Sequence, residues 1–337
     1  MKATQAIKPY RTFKGHTRSI ENVIHMTGRQ RMVTCSSDGS VREWNLETGE
    51  QIGNDWLDGE SRVQSAVLSP NGKKVVSWGE DGIVKLWDIE ASKIIATWMG
   101  HGPGTRSMCW NRDGGRILSG SYYGTAMVWD AESGNTILAI KTGHGEVYSA
   151  IYSPGETMIA SGGESGETRN GFIKIWDANT GKLIAKLEGH ISIVHCLAWT
   201  ADGKTLISGL NDRSIRTWNT TTWQQINVLT GHTSVVHRIA LSPNGRILVS
   251  GSWDRTARLW NLENGQPIGT PLQHPAPVEC VSFSMDGKIL VTGCFDNNAY
   301  SWDIAAIVKQ AGLEELLLSP DVSCHFLISP SQLNTLS

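Results

Sequence analysis

His232, Ser250 and Asp254 are the residue types of a nucleophilic triad: a serine to attack, an imidazole to take its proton, and a carboxylate to orient the imidazole. The same types return along the chain, each time with a tryptophan six residues beyond the acid. The four sets are His16, Thr34, Asp38 and Trp44; His190, Ser208, Asp212 and Trp218; His232, Ser250, Asp254 and Trp260; and His274, Thr292, Asp296 and Trp302. A catalytic site needs one nucleophile in one place, so a constellation that appears four times in register is architecture. Threonine standing in for serine in two of the four sets points the same way. His195 and His237 share a register position in neighbouring repeats and suggest a metal. Two imidazoles fall short of the three or four ligands that zinc takes, so no metal and no other cofactor is expected.

A repeat positions these groups. Of the 14 tryptophans, half form one series: Trp44, Trp87, Trp129, Trp176, Trp218, Trp260 and Trp302. A period near 42 residues is what four short strands and their turns require. In the unit 232–262, apolar residues alternate from Val235 to Leu241 and again from Thr256 to Trp260, with turns at Ser242-Pro243-Asn244-Gly245 and Glu263-Asn264-Gly265. Period two and turn chemistry every 8–12 residues indicate strands, and no clean helical stripe precedes Ile304. Turns such as Ser69-Pro70-Asn71-Gly72, Ala201-Asp202-Gly203 and Thr180-Gly181 recur at matching places in other units. The fold class is therefore all-β.

The pairs Gly15-His16, Gly100-His101, Gly143-His144, Gly189-His190 and Gly231-His232, with Gln273-His274 and Gly59-Glu60 at the remaining two places, precede the tryptophans at a fixed register. Trp87-Asp88, Trp129-Asp130, Trp176-Asp177 and Trp302-Asp303 end four units, and the other three read Trp-Asn. Over residues 15–303 the chain resembles the WD-repeat (WD40) β-propeller family. The resemblance implies seven blades of four antiparallel strands over residues 1–303. It also implies a buried hydrogen-bond network joining the loop histidine, the strand hydroxyl, the turn aspartate and the indole in each set of four. The last unit lacks an outer strand after Asp303, and residues 7–13 match the outer strand 182–187 of another unit. As in the family, the N-terminal strand should close the ring onto blade seven and so remove an exposed sheet edge. Three units depart from the pattern: unit two has Glu60 for histidine, unit three has Tyr123 for aspartate, and unit four has no aspartate at the expected place. Blades two to four are expected to be the less rigid ones, and blades one, five, six and seven the regular ones.

The resemblance also implies that partners bind one rim, formed by the loops before the first strand and between the second and third. Carried over by register, that rim offers candidate partner-binding residues Arg62, Arg106, Tyr122, Tyr148, His195, His237, Trp253 and Phe295. Trp253 and Phe295 occupy the same turn position on adjacent blades, and Tyr122, Tyr148 and Arg106 form a second group. Large aromatics and arginine on a surface match the composition of binding hot spots. A polar, glycine-rich insertion at 163–171 lengthens one loop of the same rim.

Composition narrows the alternatives. The 337 residues carry a formal charge of −2, which gives no general attraction to nucleic acid. The 21 rim positions hold Arg62 and Arg106 against Glu21, Glu80, Glu146, Glu164 and Glu279, so no nucleic-acid partner is expected. No run of 18 apolar residues is present and the first residues show no secretory pattern. The cysteines Cys35, Cys109, Cys196, Cys280, Cys294 and Cys324 show no CxxC spacing. A cytoplasmic or nuclear monomer without a membrane partner is expected. Residues 304–318 read as a helix weakened at Gly312, resembling tails on fungal WD-repeat proteins, and 319–337 as a poorly ordered end. The expected function is a non-enzymatic protein-interaction scaffold or adaptor. Binding of a small ligand or nucleic acid on the rim is the alternative, and a propeller hydrolase is the more distant one.

Overall fold

Alternating apolar residues and glycine turns become 28 strands in seven four-stranded antiparallel sheets. The computed structural model describes residues 7–26, 30–57, 62–101, 104–166, 170–187, 189 and 192–318, apart from the side chain of Leu57. His190, Glu60, residues 167–169 of the inserted loop, Cys324 and the tail 319–337 lie outside the described residues.

Blade six shows the plan, with strands Val236–Leu241, Ile247–Ser252, Thr256–Asn261 and Pro267–Gln273 running from the central channel outward. Blade seven takes Val278–Phe283, Ile289–Cys294 and Ala299–Asp303 from the end of the repeats and Arg11–Phe13 from the start of the chain. Arg11, Thr12 and Phe13 pair with Ser301, Tyr300 and Ala299, so the ring closes by hydrogen bonds between its two ends. The closing strand is shorter than the 7–13 read from the sequence. Phe13 is fully buried and packs with Ile20 and Trp44 of blade one and Cys280, Val291 and Ala299 of blade seven. Burial of this kind between blades forms the core, and comparable clusters lie between other neighbours around the ring.

The residue after each repeat tryptophan now has a physical role. Its side-chain oxygen accepts backbone N–H groups of the following turn: Asp130 Oδ1 from Ser133 at 2.8 Å, Asp177 Oδ1 from Thr180 at 2.8 Å, and Asn219 Oδ1 from Thr222 at 2.9 Å. Asparagine and aspartate supply the same acceptor, which is why the two interchange. After the last tryptophan, Asp303 caps the N-terminus of helix α1 (Ile304–Gln310), accepting from Ala306 N at 2.9 Å. Gly312 at φ +70° separates α1 from a 3₁₀ turn at Glu314–Leu317. Ile304, Ile307, Val308 and Leu316 join the core of blades six and seven, where Ile307 lies beside Gly269 on the outer strand of blade six and shares a cluster with Ile268. Ile268 is 1% exposed, whereas Ile95, Ile137, Ile184 and Ile226 on the outer strands of blades two to five are about half exposed.

Candidate functional site

Every blade contains the same buried bond: the indole Nε1 of the repeat tryptophan donates to a strand hydroxyl. The distances are 2.7 Å for Trp44–Thr34, 2.8 Å for Trp87–Ser77, 2.7 Å for Trp129–Ser119 and 2.9 Å for Trp176–Ser161. They are 3.0 Å for Trp218–Ser208, 2.8 Å for Trp260–Ser250 and 3.1 Å for Trp302–Thr292. In blades one and six the chain of bonds is complete. His16 bridges Thr34 at 2.7 Å and Asp38 at 2.9 Å, and His232 bridges Ser250 at 2.7 Å and Asp254 at 2.8 Å. Burial alone would raise the pKa values of Asp38 and Asp254. The hydrogen bonds from His16 and His232, and from Ser40 and Thr256, outweigh it and hold both carboxyls well below the usual range. Each hydroxyl oxygen here already serves an indole and an imidazole within a packed core. These are satisfied networks that rigidify a blade.

Two blades solve the same problem with other residues. In blade three, His101 reaches Ser119 at 2.6 Å and Thr125 at 2.9 Å, so Thr125 takes the aspartate's place while Tyr123, at the aspartate register, points out at 64% exposure. Blade three is therefore not left open by its missing acid. Blade seven corrects the expectation in the other direction: Asp296 does not bond His274. Tyr300 stands where blades one, five and six carry Arg42, Arg216 and Arg258, and its phenol donates to Asp296. His274 Nδ1 turns instead to the Leu272 carbonyl at 3.0 Å, while Nε2 keeps Thr292 at 2.8 Å. In blade four His144 keeps Ser161 at 3.0 Å and stacks on Phe172, but its Nδ1 has no hydrogen-bond partner among the described residues. In blade five Asp212 receives Arg216 at 3.2 Å and the Ser214 hydroxyl at 2.6 Å.

The candidate partner-binding residues gather elsewhere, at one mouth of the central channel. The innermost strand of each blade slips register by one residue near its start, and the bulged residue is Glu21, Gln64, Arg106, Tyr148, His195, His237 or Glu279. A bulge leaves its residue out of the ladder and re-aims its side chain. Here all seven line a single cavity of about 270 Å³, together with Glu80, Tyr122, Trp253, Phe295 and others from the turns above. Arg62, Arg106, Tyr122, Tyr148, His195, His237, Trp253 and Phe295 all lie on that wall.

The two aromatic groups expected from sequence are one continuous belt. Arg106 lies 3.9 Å above the Tyr122 ring and 5.1 Å from Tyr148. Tyr148 then meets His195 at 5.0 Å, His195 meets His237 at 5.7 Å, His237 stacks on Trp253 at 5.5 Å, and Trp253 meets Phe295 edge-on at 6.3 Å. Trp253 and Phe295 remain 40% and 45% exposed at the top. Beneath them Glu279 is buried. Its Oε1 accepts from Trp253 Nε1 at 2.7 Å, and its Oε2 lies 3.3 Å from His237 Nδ1. Burial, and then the nearby Glu21, push the Glu279 carboxyl up to about 7, against the pull of Arg238 and the Trp253 bond. Burial, and then Arg238, hold His195 down at about 4 and His237 well below the imidazole range.

Arg238 was missed in the sequence. Strand alternation places it on the face opposite His237, and only the bulge at 237 shows that it too can reach the cavity. Glu279 was visible as a rim position, but its burial under Trp253 was not. Among the described residues, no group of three or more His, Cys, Asp or Glu side chains is placed to hold a metal ion. No described helix is long and apolar enough to cross a membrane.

Comparisons with known proteins agree with this geometry. The model of the WD40 family (WD domain, G-beta repeat) matches residues 7–45, 52–88, 92–130, 135–177, 181–219, 223–261 and 265–303. The chain is 27% identical over 263 residues to the small ribosomal subunit protein RACK1y of Oryza sativa subsp. japonica, covering 61% of this chain and 76% of that protein. It is 25% identical over 212 residues to the U3 small nucleolar RNA-associated protein 15 homolog of Gallus gallus, covering 62% of this chain but 39% of that one. It is 24% identical over 202 residues to autophagy-related protein 16 of Arabidopsis thaliana, covering 58% and 38%. Among solved structures, the WD40 β-propeller domain of Doa1 superposes with a TM-score of 0.77 at 24% identity, covering 88% of this chain and 96% of that one. That likeness shows the fold.

Proposed function

This chain belongs to the WD40 family of WD-domain, G-beta repeat proteins, and from that premise we propose that it is a non-enzymatic scaffold that seats a protein partner on the mouth of its channel. The carrying observation is the chemistry of the seven bulged positions. The buried hydroxyl position is serine or threonine in every blade, because the fold requires it there. The bulged position carries Glu, Gln, Arg, Tyr, His, His and Glu in turn, although its backbone geometry is the same in each blade. The fold does not dictate those residues, so a partner is what they answer to.

The belt supports a protein partner in particular. Trp253 and Phe295 offer rigid apolar area beside His237, which stacks on Trp253, and Arg238 lines the same cavity, the composition found at interface centres. In blades one and six the triad-like sets are closed hydrogen-bond networks, which supports reading the chain as a scaffold. Work in the cytoplasm or nucleus, as a monomer and without nucleic acid, completes the proposal. A pull-down with mass spectrometry tests it, comparing wild type with Trp253→Ala/Phe295→Ala. We expect the double variant to melt cooperatively and to lose the captured partner. Retention of the same partner by a folded double variant would overturn the proposal.

A further inference from the structure

The mouth contains donors and acceptors in unequal supply. Its carboxylates are provided for. Glu21 accepts from the Ser19 and Ser37 hydroxyls at 2.6 and 2.5 Å, Glu80 lies 3.3 Å from Arg62, and Glu279 has Trp253 and His237. Its guanidiniums are not. Of Arg62, Arg106 and Arg238, Arg62 alone has a carboxylate within ion-pair distance among the described residues. Arg106 is held by two tyrosine ring faces, which offer no hydrogen-bond acceptor, and its Nε is shielded from solvent without a partner. Arg238 is partly buried, and its guanidinium makes no hydrogen bond to a described residue. Both line the same cavity of about 270 Å³, and both act electrostatically on the same three groups there, Glu279, His195 and His237.

A guanidinium carries five N–H donors in a flat fork, and its natural complement is the two or three oxygens of an oxyanion. Stacking fixes the plane of Arg106 and reduces the ordering cost of such a bond. We propose that the mouth takes one anionic side chain of a protein partner, a carboxylate or a phosphoryl group, between Arg106 and Arg238, with Trp253 and Phe295 covering an adjoining apolar residue. This rests on the mouth being the partner-binding surface and adds the chemistry of what enters it. Nucleic-acid binding calls for a track of cations along a backbone. Two cations lining one small cavity, on a rim that also carries five glutamates, fit a single anionic side chain.

The test uses the full-length chain and blocked pentapeptides Gly-Leu-X-Leu-Gly, with X as glutamate, phosphoserine or glutamine, plus an eight-residue oligothymidylate. Binding is read from arginine side-chain Nε–H NMR signals and by calorimetry. We expect at least one anionic peptide to shift the Arg106 and Arg238 signals and to bind at least tenfold more tightly than the glutamine peptide. Which of the two responds identifies a carboxylate or a phosphoryl source, and either supports the proposal. Arg106→Gln and Arg238→Gln should each remove the tenfold preference, whereas Lys93→Gln, exposed on an outer strand away from the mouth, should keep it. Equal binding of the glutamine peptide, tighter binding of the oligonucleotide, or an anion preference that survives both arginine variants in folded protein would overturn it. If the anionic peptides fail while the Trp253/Phe295 double variant still loses its captured partner, this inference falls and the docking surface stands.

Discussion

Two clusters whose histidines lie five residues apart in sequence each join a histidine, a carboxylate and a tryptophan. One is His232, Asp254 and Trp260 with Ser250, buried inside blade six. The other is His237, Glu279 and Trp253 at the mouth, spanning blades six and seven. In the first, every group has a partner inside its own blade, and the carboxyl is held below its usual range because its hydrogen bonds outweigh burial. In the second, the carboxyl is buried against another blade with fewer donors, and burial wins. The first recurs around the ring with Thr for Ser and Thr125 for aspartate; the second occurs once. Residue type alone does not separate architecture from function. Repetition and the completeness of the hydrogen bonding do.

The largest effect that would sharpen this contrast is on stability. Trp260 is 1% exposed, so Trp260→Ala should cost about 3–5 kcal/mol by chemical denaturation, while the fraction that remains folded still captures the partner. A loss below about 1 kcal/mol would break the contrast.

The second effect is on pH. The folded Glu279 carboxyl at about 7 lies above that of an unfolded glutamate, near 4.3. The folded state therefore binds more protons between those values, and stability falls as pH rises through that window. Burial, and then the charge of Glu21, disfavour the ionised form, while Arg238, the Trp253 bond and Arg106 favour it. Glu279→Gln should gain about 2 kcal/mol relative to wild type between pH 5 and pH 8. Asp254 is ionised in both states across that range, since its folded pKa is depressed, so Asp254→Asn should differ from wild type equally at the two pH values. His25, His101, His144, His195, His237 and His274 are all lowered by burial, so the whole protein should lose stability as pH falls below about 6.5. Comparison at matched pH cancels that background. Matching pH profiles for the two variants would contradict the contrast.

A smaller effect separates the blade network from its register. Thr125→Val removes the hydroxyl that meets His101 and Ser121 and should cost about 1–2 kcal/mol. Tyr123→Ala, at the nominal aspartate position, should stay within about 0.5 kcal/mol. The reverse order in thermal melts would show that Thr125 is not the working partner.

A small stability effect is also expected at the mouth. Phe295→Ala removes a ring 45% exposed and should cost less than about 1 kcal/mol, yet weaken partner capture. A large loss of stability with unchanged capture would assign Phe295 to packing.

Much of this was legible before any coordinates. Seven tryptophans in register located seven strands, and in the four complete sets the family resemblance pointed to the hydroxyl ten residues before the tryptophan as its partner. The matching pattern before Gly15-His16 located the closing strand. The departures were harder. Thr125 sits two residues past the aspartate register and nothing in its type announces that it will reach His101. Tyr300 occupies an arginine position, and only its geometry shows that it draws Asp296 away from His274. Both depend on which nearby group reaches the site once the blade is folded.

The sequence by itself determined what lies within a blade: strand count, turn positions, the buried indole–hydroxyl bond and the way the ring closes. A two-residue side-chain period and a fixed repeat length place those groups relative to one another through local backbone geometry. The tertiary structure decided what lies between blades. Seven bulged residues separated by 42 or more positions meet at one mouth because closure of the ring brings seven innermost strands around one axis. The Tyr–His–His–Trp–Phe belt, the burial of Glu279 and the placing of Arg106 and Arg238 in one cavity follow from that closure, and no single repeat contains them.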